Sequence, residues 1–161
     1  TQLCFSAQNK TLKHTTYALF FFIKGVIIVV IVYDSLTGQS KKFAERLGYQ
    51  VADIKKFEGH QELIFLVTRS FNFGEIPKET QHFLEQHQKN VVGVAVSGNR
   101  NWGKNYGAAG DKIMRIYGLP LVLKFEASGM PHEVEIVKKW IDTYLENKNK
   151  EHKTYGNVQD N

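Results

Sequence analysis

Apolar residues are bunched along this chain rather than evenly spread. From Val26 to Ser40 the sequence reads VIIVVIVYDSLTGQS. Val and Ile run together as far as Tyr33 and then give way to a polar turn holding Ser35, Thr37, Gly38 and Ser40. Because the apolar positions do not alternate with polar ones, the run predicts a strand covered on both faces, as in a parallel sheet flanked by helices. KKFAERLG follows with helical spacing, so Gln39 to Leu47 is expected to be a helix closed by Gly48. Tyr49 to Lys55 reads as a weak short strand. ELIFLVT, Glu62 to Thr68, is a second buried strand, and the loop RSFNFGEIP leads to a helix through TQHFLEQH with Pro77 in its first turn. NVVGVAVS, Asn90 to Ser97, is a third strong strand. The Gly/Asn-rich stretch GNRNWGKNYGAAG then enters a helix ending near Tyr117. PLVLKF, Pro120 to Phe125, is a fourth strong strand; EASGM is a loop, and Pro131 to Leu145 is a final amphipathic helix.

Five strands alternating with helices make an α/β doubly wound sheet. The chain is short for a six-stranded dinucleotide fold with a second domain, so the expected architecture is the smaller flavodoxin-like parallel sheet, order 2-1-3-4-5. The domain is expected over residues 26–147, and 148–161 as a polar, disordered tail. Residues 1–25 do not match the rest and lack an initiator Met; a disordered extension is expected there. YALFFFI and the strand after it are interrupted by Lys24, and together fall short of the roughly 20 apolar residues of a spanning helix. Tyr17 to Ile23, with Lys10 and Lys13 ahead of it, allows a signal-peptide reading, but no small-residue cleavage site follows.

Composition narrows the class. The 161 residues are 42% hydrophobic and 23% charged, enough for one domain with a core. The net charge of +5 is mild and scattered, favouring an acidic protein partner or an anionic ligand over nucleic acid. The single cysteine, Cys4, rules out an internal disulfide and fits a cytoplasmic protein. His82 and His87, five apart, fall on different sides of a helix, so no metal site is expected.

In an open parallel sheet, ligands sit beyond the carboxyl ends of the strands. Three loops at that edge carry unusual residues: SLTGQS, SFNFG and SGNRNWG. The first offers hydroxyls at Ser35, Thr37 and Ser40, backbone N–H groups from Leu36 to Ser40, and close approach at Gly38. No Lys or Arg lies in it, so it is neither a Walker A loop nor GxGxxG; a phosphomonoester held by neutral donors fits, and so does a plain helix cap. In the second, Phe71 and Phe73 flank Asn72, either to cover a planar ring or to fold back on the core. Gly74 permits a peptide flip. In the third, Gly98 and Gly103 enclose Asn99, Arg100, Asn101 and Trp102, with Tyr106 beyond, suiting a stacked heteroaromatic ring or a core-anchored Trp. A phosphorylated flat ligand meets all three, and flavin mononucleotide (FMN) is the simplest. Glu75 is the one acid expected near the ring.

YDSLTGQS, the pattern TxxxNFGxxP at Thr68 to Pro77, GVAVSGNRNWGKNYGAAGDKI and KFEASG resemble the NrdI family, small flavodoxin-like proteins of class Ib ribonucleotide reductase systems. The resemblance spans Val26 to about Leu145. It implies bound FMN and, as partner, the small manganese-containing subunit of the reductase. In that family the reduced flavin reacts with oxygen, and the oxidant formed reaches the metal site where a tyrosyl radical is made. The chain would then be a redox accessory protein fed by a reductase that the sequence does not identify, without nucleic-acid or membrane partners. By position, Ser35, Leu36, Thr37, Gly38, Gln39 and Ser40 would hold the phosphate. Thr68 and Ser70, Phe71, Asn72, Phe73 and Gly74 would lie beside the ring. Ser97, Gly98, Asn99, Trp102, Gly103 and Tyr106 would form its other wall, with Ser128 and Gly129 at the same edge. The chain departs from the family at Gln39, usually Asn, and at Arg69, Ser70 and Phe71, which replace a Tyr- and Thr-rich segment. A general electron-transfer flavodoxin is the alternative. A receiver-like domain is disfavoured because Asp34 stands without the clustered acids that fold needs.

Overall fold

Two layers of helices cover the two faces of a five-stranded parallel sheet of order β2-β1-β3-β4-β5. The computed structural model describes residues 27–59 and 62–156. The strands are β1 Val29–Tyr33, β2 Gln50–Asp53, β3 Leu63–Arg69, β4 Val91–Ser97 and β5 Leu121–Phe125. The helices are α1 Gln39–Arg46, α2 Lys78–His87, α3 Ala108–Tyr117 and α4 Pro131–Gly156, with a 3-10 segment at Arg100–Asn105.

The unbroken apolar runs are explained by two separate cores. Val29, Ile31, Phe65, Val67 and Ala95 face α1 and α4, where they meet Phe43, Leu47, Val137 and Ile141. Val30, Val32, Ile64, Leu66, Val94 and Val96 face α2 and α3, meeting Phe83, Leu84 and Ile113. Successive strand residues point to opposite faces, so a strand buried on both must be apolar throughout. Phe43 of α1 and Phe125 of β5 stack with centroids 3.9 Å apart, fixing α1 over the sheet next to its carboxyl edge.

Local signals place the ends. Gly48 has φ 79°, the left-handed conformation that closes α1 cheaply. β2 is shorter than its apolar pattern suggests because the Asp53 carboxylate accepts from the Lys55 N–H at 2.9 Å and turns the chain.

One expectation is corrected. The last helix does not stop at Leu145; it continues to Gly156, so residues 148–156 are helical rather than a disordered tail. The segment holds three Lys and one Glu, has no Pro, and carries a Lys148–Glu151 ion pair at 3.0 Å, so the helix already begun at Pro131 is extended without an apolar face. The compact unit spans Ile28–Leu145. Residues 1–25 and 157–161, for which disorder is expected from the sequence, lie outside the described residues. Among the described residues, no helix is long and apolar enough to cross a membrane.

Candidate functional site

Parallel pairing brings the carboxyl ends of β1, β3, β4 and β5 to one rim. Tyr33 is in register with Val67, Arg69 with Ser97, and Ser97 with Phe125. The three loops singled out from the sequence all leave from this rim.

The first loop ends at Gly38, whose φ of 84° turns the chain into α1. A left-handed φ suits Gly, and no atom lies within 4 Å of where a Cβ would stand. No side chain caps α1 and no acid lies in its first turn. The capping alternative for the hydroxyls is therefore set aside, and the free N–H groups at the helix start are left for an anion. The Ser35 hydroxyl is buried and has no hydrogen-bond partner. Ser40 is buried, whereas Leu36 and Thr37 are exposed.

The second loop is held to β4 by the Ser70 N–H, which donates to the Ser97 carbonyl at 2.8 Å. It closes through a tight bridge in which Phe71 and Glu75 exchange backbone hydrogen bonds of 2.8 and 2.7 Å. Asn72 at φ 46° and Gly74 at φ 96° make the reversal. Gly74 is buried so close to α3 that a Cβ would lie 2.5 Å from that of Ala108. Phe71 and Phe73 do not fold onto the core; they are 46% and 73% exposed. The Ser70 hydroxyl, like that of Ser35, is buried without a partner.

The third loop is a compact turn pinched at its neck. A Cβ on Gly98 would lie 2.7 Å from the Gly107 nitrogen. Gly98 N–H donates to the Phe125 carbonyl at 2.9 Å, and within the turn the Asn99 side chain accepts from Asn101 N–H at 2.9 Å. Gly103, at φ 51° and ψ −119°, kinks the 3-10 segment. Trp102 and Phe73 rings stand 5.9 Å apart at 48°, so the second and third loops meet through their aromatic groups. The Arg100 guanidinium lies 5.5 Å from the Tyr106 ring centre. The Tyr106 hydroxyl is buried without a partner; burial pushes its pKa up, with Arg100 opposing.

Three of the candidate positions have other engagements. Thr68 is fully buried and its hydroxyl pairs with Thr80 at 2.7 Å, on the α2 side of the sheet. The carbonyls of Ser128 and Gly129 both accept from Arg46 Nη1 at 2.8 Å.

Sequence reading leaves Asp34 without a task and misses Glu126 and Glu133 at this rim. Asp34, only 2% exposed, accepts from the Thr80 hydroxyl at 2.9 Å and lies 3.4 Å from Arg69 Nε. Glu126 and the buried Glu133 both pair with Arg100, at 3.7 and 2.8 Å. The rim thus holds acids beyond Glu75, each matched by an arginine. The signal lay in Arg69, the last residue of β3, and Arg100, the charged residue of SGNRNWG.

A phosphorylated aromatic ligand fits what this rim presents: an uncapped helix start, buried hydroxyls without partners, and the exposed Phe73 facing the half-buried Trp102 across two turns.

Comparison with known proteins gives the lineage. The family described as NrdI Flavodoxin like matches residues 31–139. Protein NrdI of Macrococcus caseolyticus is 44% identical over 108 residues, covering 66% of this chain and 84% of that protein. Protein NrdI of Bacillus licheniformis is 35% identical over 116 residues, covering 71% and 88%. Among solved structures, a short-chain flavodoxin associated with a non-canonical PDU bacterial microcompartment aligns with a TM-score of 0.60 at 16% identity, over 76% of this chain and 99% of that one. A Fusobacterium nucleatum flavodoxin bound to flavin mononucleotide aligns at 0.54 and 15% identity, over 74% and 97%. Those two likenesses speak to the fold. With more than half of its length matched by the family and relatives above 30% identity, this chain belongs to the NrdI flavodoxin-like family.

Proposed function

We propose that this chain binds FMN at the rim described above. There it serves the small manganese-containing subunit of a class Ib ribonucleotide reductase, supplying redox equivalents for assembly of its dimanganese–tyrosyl radical cofactor. The observation that carries the cofactor half is the pairing of an uncapped α1 start with the partnerless, buried hydroxyls of Ser35 and Ser70. The partner half rests on family membership. When bound, FMN supplies one-electron chemistry and reaction with oxygen, which no side chain provides.

In this reading the residues have distinct tasks. Ser35, Thr37, Gly38, Gln39 and Ser40 hold the phosphate through hydroxyls and the helix-start N–H groups. Phe73 and Trp102 shield the ring from water from two loops. Arg69 and Arg100 keep the rim's acids compensated, so an electron-rich ring is not opposed by bare negative charge.

Purified protein is expected to take up FMN and show the bands of oxidised flavin, lost on dithionite. Ser35→Ala should weaken FMN binding about tenfold, the loss of one hydrogen bond to a charged group. The melting temperature of the FMN-free protein should not change, because the hydroxyl has no partner there. Fluorescence titration with FMN checks the first and thermal denaturation the second; unaltered affinity in the variant removes Ser35 from the phosphate site.

Activation of the manganese-loaded reductase subunit separates this function from that of a general electron-transfer flavodoxin, the reading favoured by the structural neighbours alone. With a net charge of +5, docking on an acidic face should weaken at least about threefold between roughly 50 and 300 mM salt. Surface plasmon resonance across that range reads it, and a flat response would mean that charge does not guide the docking.

A further inference from the structure

The loop between β5 and α4, Glu126 to Met130, is fastened from two directions. On one side Arg46 of α1 donates to the Ser128 and Gly129 carbonyls. Gly129 there lies so close to Phe43 that a Cβ would come within 2.5 Å of its ring. On the other side Arg100 reaches from the aromatic turn. Its backbone N–H donates to Glu126 Oε1 at 3.2 Å, and its Nη2 donates to Glu133 Oε1 at 2.8 Å. Glu133 is 5% exposed, and its second oxygen accepts from the Met130 N–H at 2.7 Å, tying up the start of α4. Arg100 is therefore the cation compensating a buried carboxylate, placed in the same turn as Trp102 and against the Tyr106 ring.

We propose that Arg100 is a positioning residue: its pairing with Glu126 and Glu133 anchors the aromatic turn 97–106 to the loop that Arg46 holds against α1, so that the ring-covering turn and the phosphate loop keep a fixed spacing. The consequence for ligand affinity rests on the flavin reading above; the anchoring itself does not. Removing the guanidinium leaves Glu133 buried and uncompensated, which costs more than the half-exposed ion pair contributes. The turn then shifts to let water reach that carboxylate, and Trp102 moves with it.

The test uses full-length protein labelled with 5-fluorotryptophan, whose two resonances report Trp102 and Trp140. In Arg100→Gln without FMN, the Trp102 resonance is expected to shift and the Trp140 resonance to stay. FMN should bind about tenfold more weakly. Glu133→Gln should do the same, since an amide nitrogen then faces the guanidinium while the amide oxygen can still accept from Met130. The double variant, with two amides able to pair, should recover most of both effects. An unmoved Trp102 resonance in Arg100→Gln, or a double variant as impaired as the singles, overturns the proposal. If parent protein fails to bind FMN while the resonance still responds and recovers, the flavin reading falls and the anchoring role stands.

Discussion

Asp34→Ala is expected to lower the melting temperature by about 8–12 °C, the equivalent of roughly 2–3 kcal/mol for a domain of this size. The carboxylate is 2% exposed at the end of the central strand. It accepts from Thr80, whose hydroxyl also meets that of the fully buried Thr68, and it lies 3.4 Å from Arg69 Nε. Truncation leaves a buried hydroxyl short of an acceptor and a guanidinium that is only 18% exposed short of its nearest anion, with Glu79 at 4.0 Å as the remaining one. Loss of hydrogen bonds alone would cost about 1 kcal/mol each; the stranded charge accounts for the rest. The comparison that separates these is Asp34→Asn, which keeps the acceptor for Thr80 and should lose about half as much. Asp34→Ala combined with Arg69→Met should recover part of the loss by removing the stranded charge. Urea denaturation of the four proteins reads all of it. A loss under about 0.5 kcal/mol in the alanine variant would place Asp34 among ordinary surface acids and remove it from the fold's support.

That network also shows where sequence reading stopped. The sheet order and both helix layers were legible because Val29 to Val32, Ile64 to Val67 and Val91 to Val96 are apolar without alternation, which only two-sided burial requires. The three rim loops were legible because Ser, Asn, Gly and aromatic residues gather only after strong strands. The structure then resolved two alternatives that composition left open: no hydroxyl caps α1, and Phe71 and Phe73 stay outside the core. What composition could not reveal are the arginine contacts. Arg46 meets Ser128 across 82 positions and Arg100 meets Glu133 across 33, and neither spacing has a local signature. Residues 148–156 were misread for the opposite reason. Apolar periodicity signals a helix that packs on a core, and these residues, which extend α4, have none.

Gly98→Ala is expected to weaken FMN binding by at least about thirtyfold while costing roughly 2 kcal/mol of stability. The added methyl would lie 2.7 Å from the Gly107 nitrogen, 3.1 Å from its Cα and 3.3 Å from the Tyr106 ring. Two of these atoms are backbone, so no rotamer change relieves the contact; the neck of the turn has to open. Gly98 is also held from behind by its hydrogen bond to Phe125, so the displacement falls on the far side, where Tyr106 and the turn carrying Trp102 begin. Gly38→Ala supplies the contrast. Its φ of 84° makes a side chain strained by about 1–2 kcal/mol, yet nothing lies within 4 Å of the new methyl. The two variants should therefore lose similar stability. Gly98→Ala should disturb the aromatic wall, read as a shift of the Trp102 resonance, and Gly38→Ala should leave that resonance in place. Equal resonance shifts in the two variants would mean that general loosening, not the neck, governs the wall. A Gly98→Ala protein that binds FMN as the parent does would detach the aromatic turn from the ligand altogether.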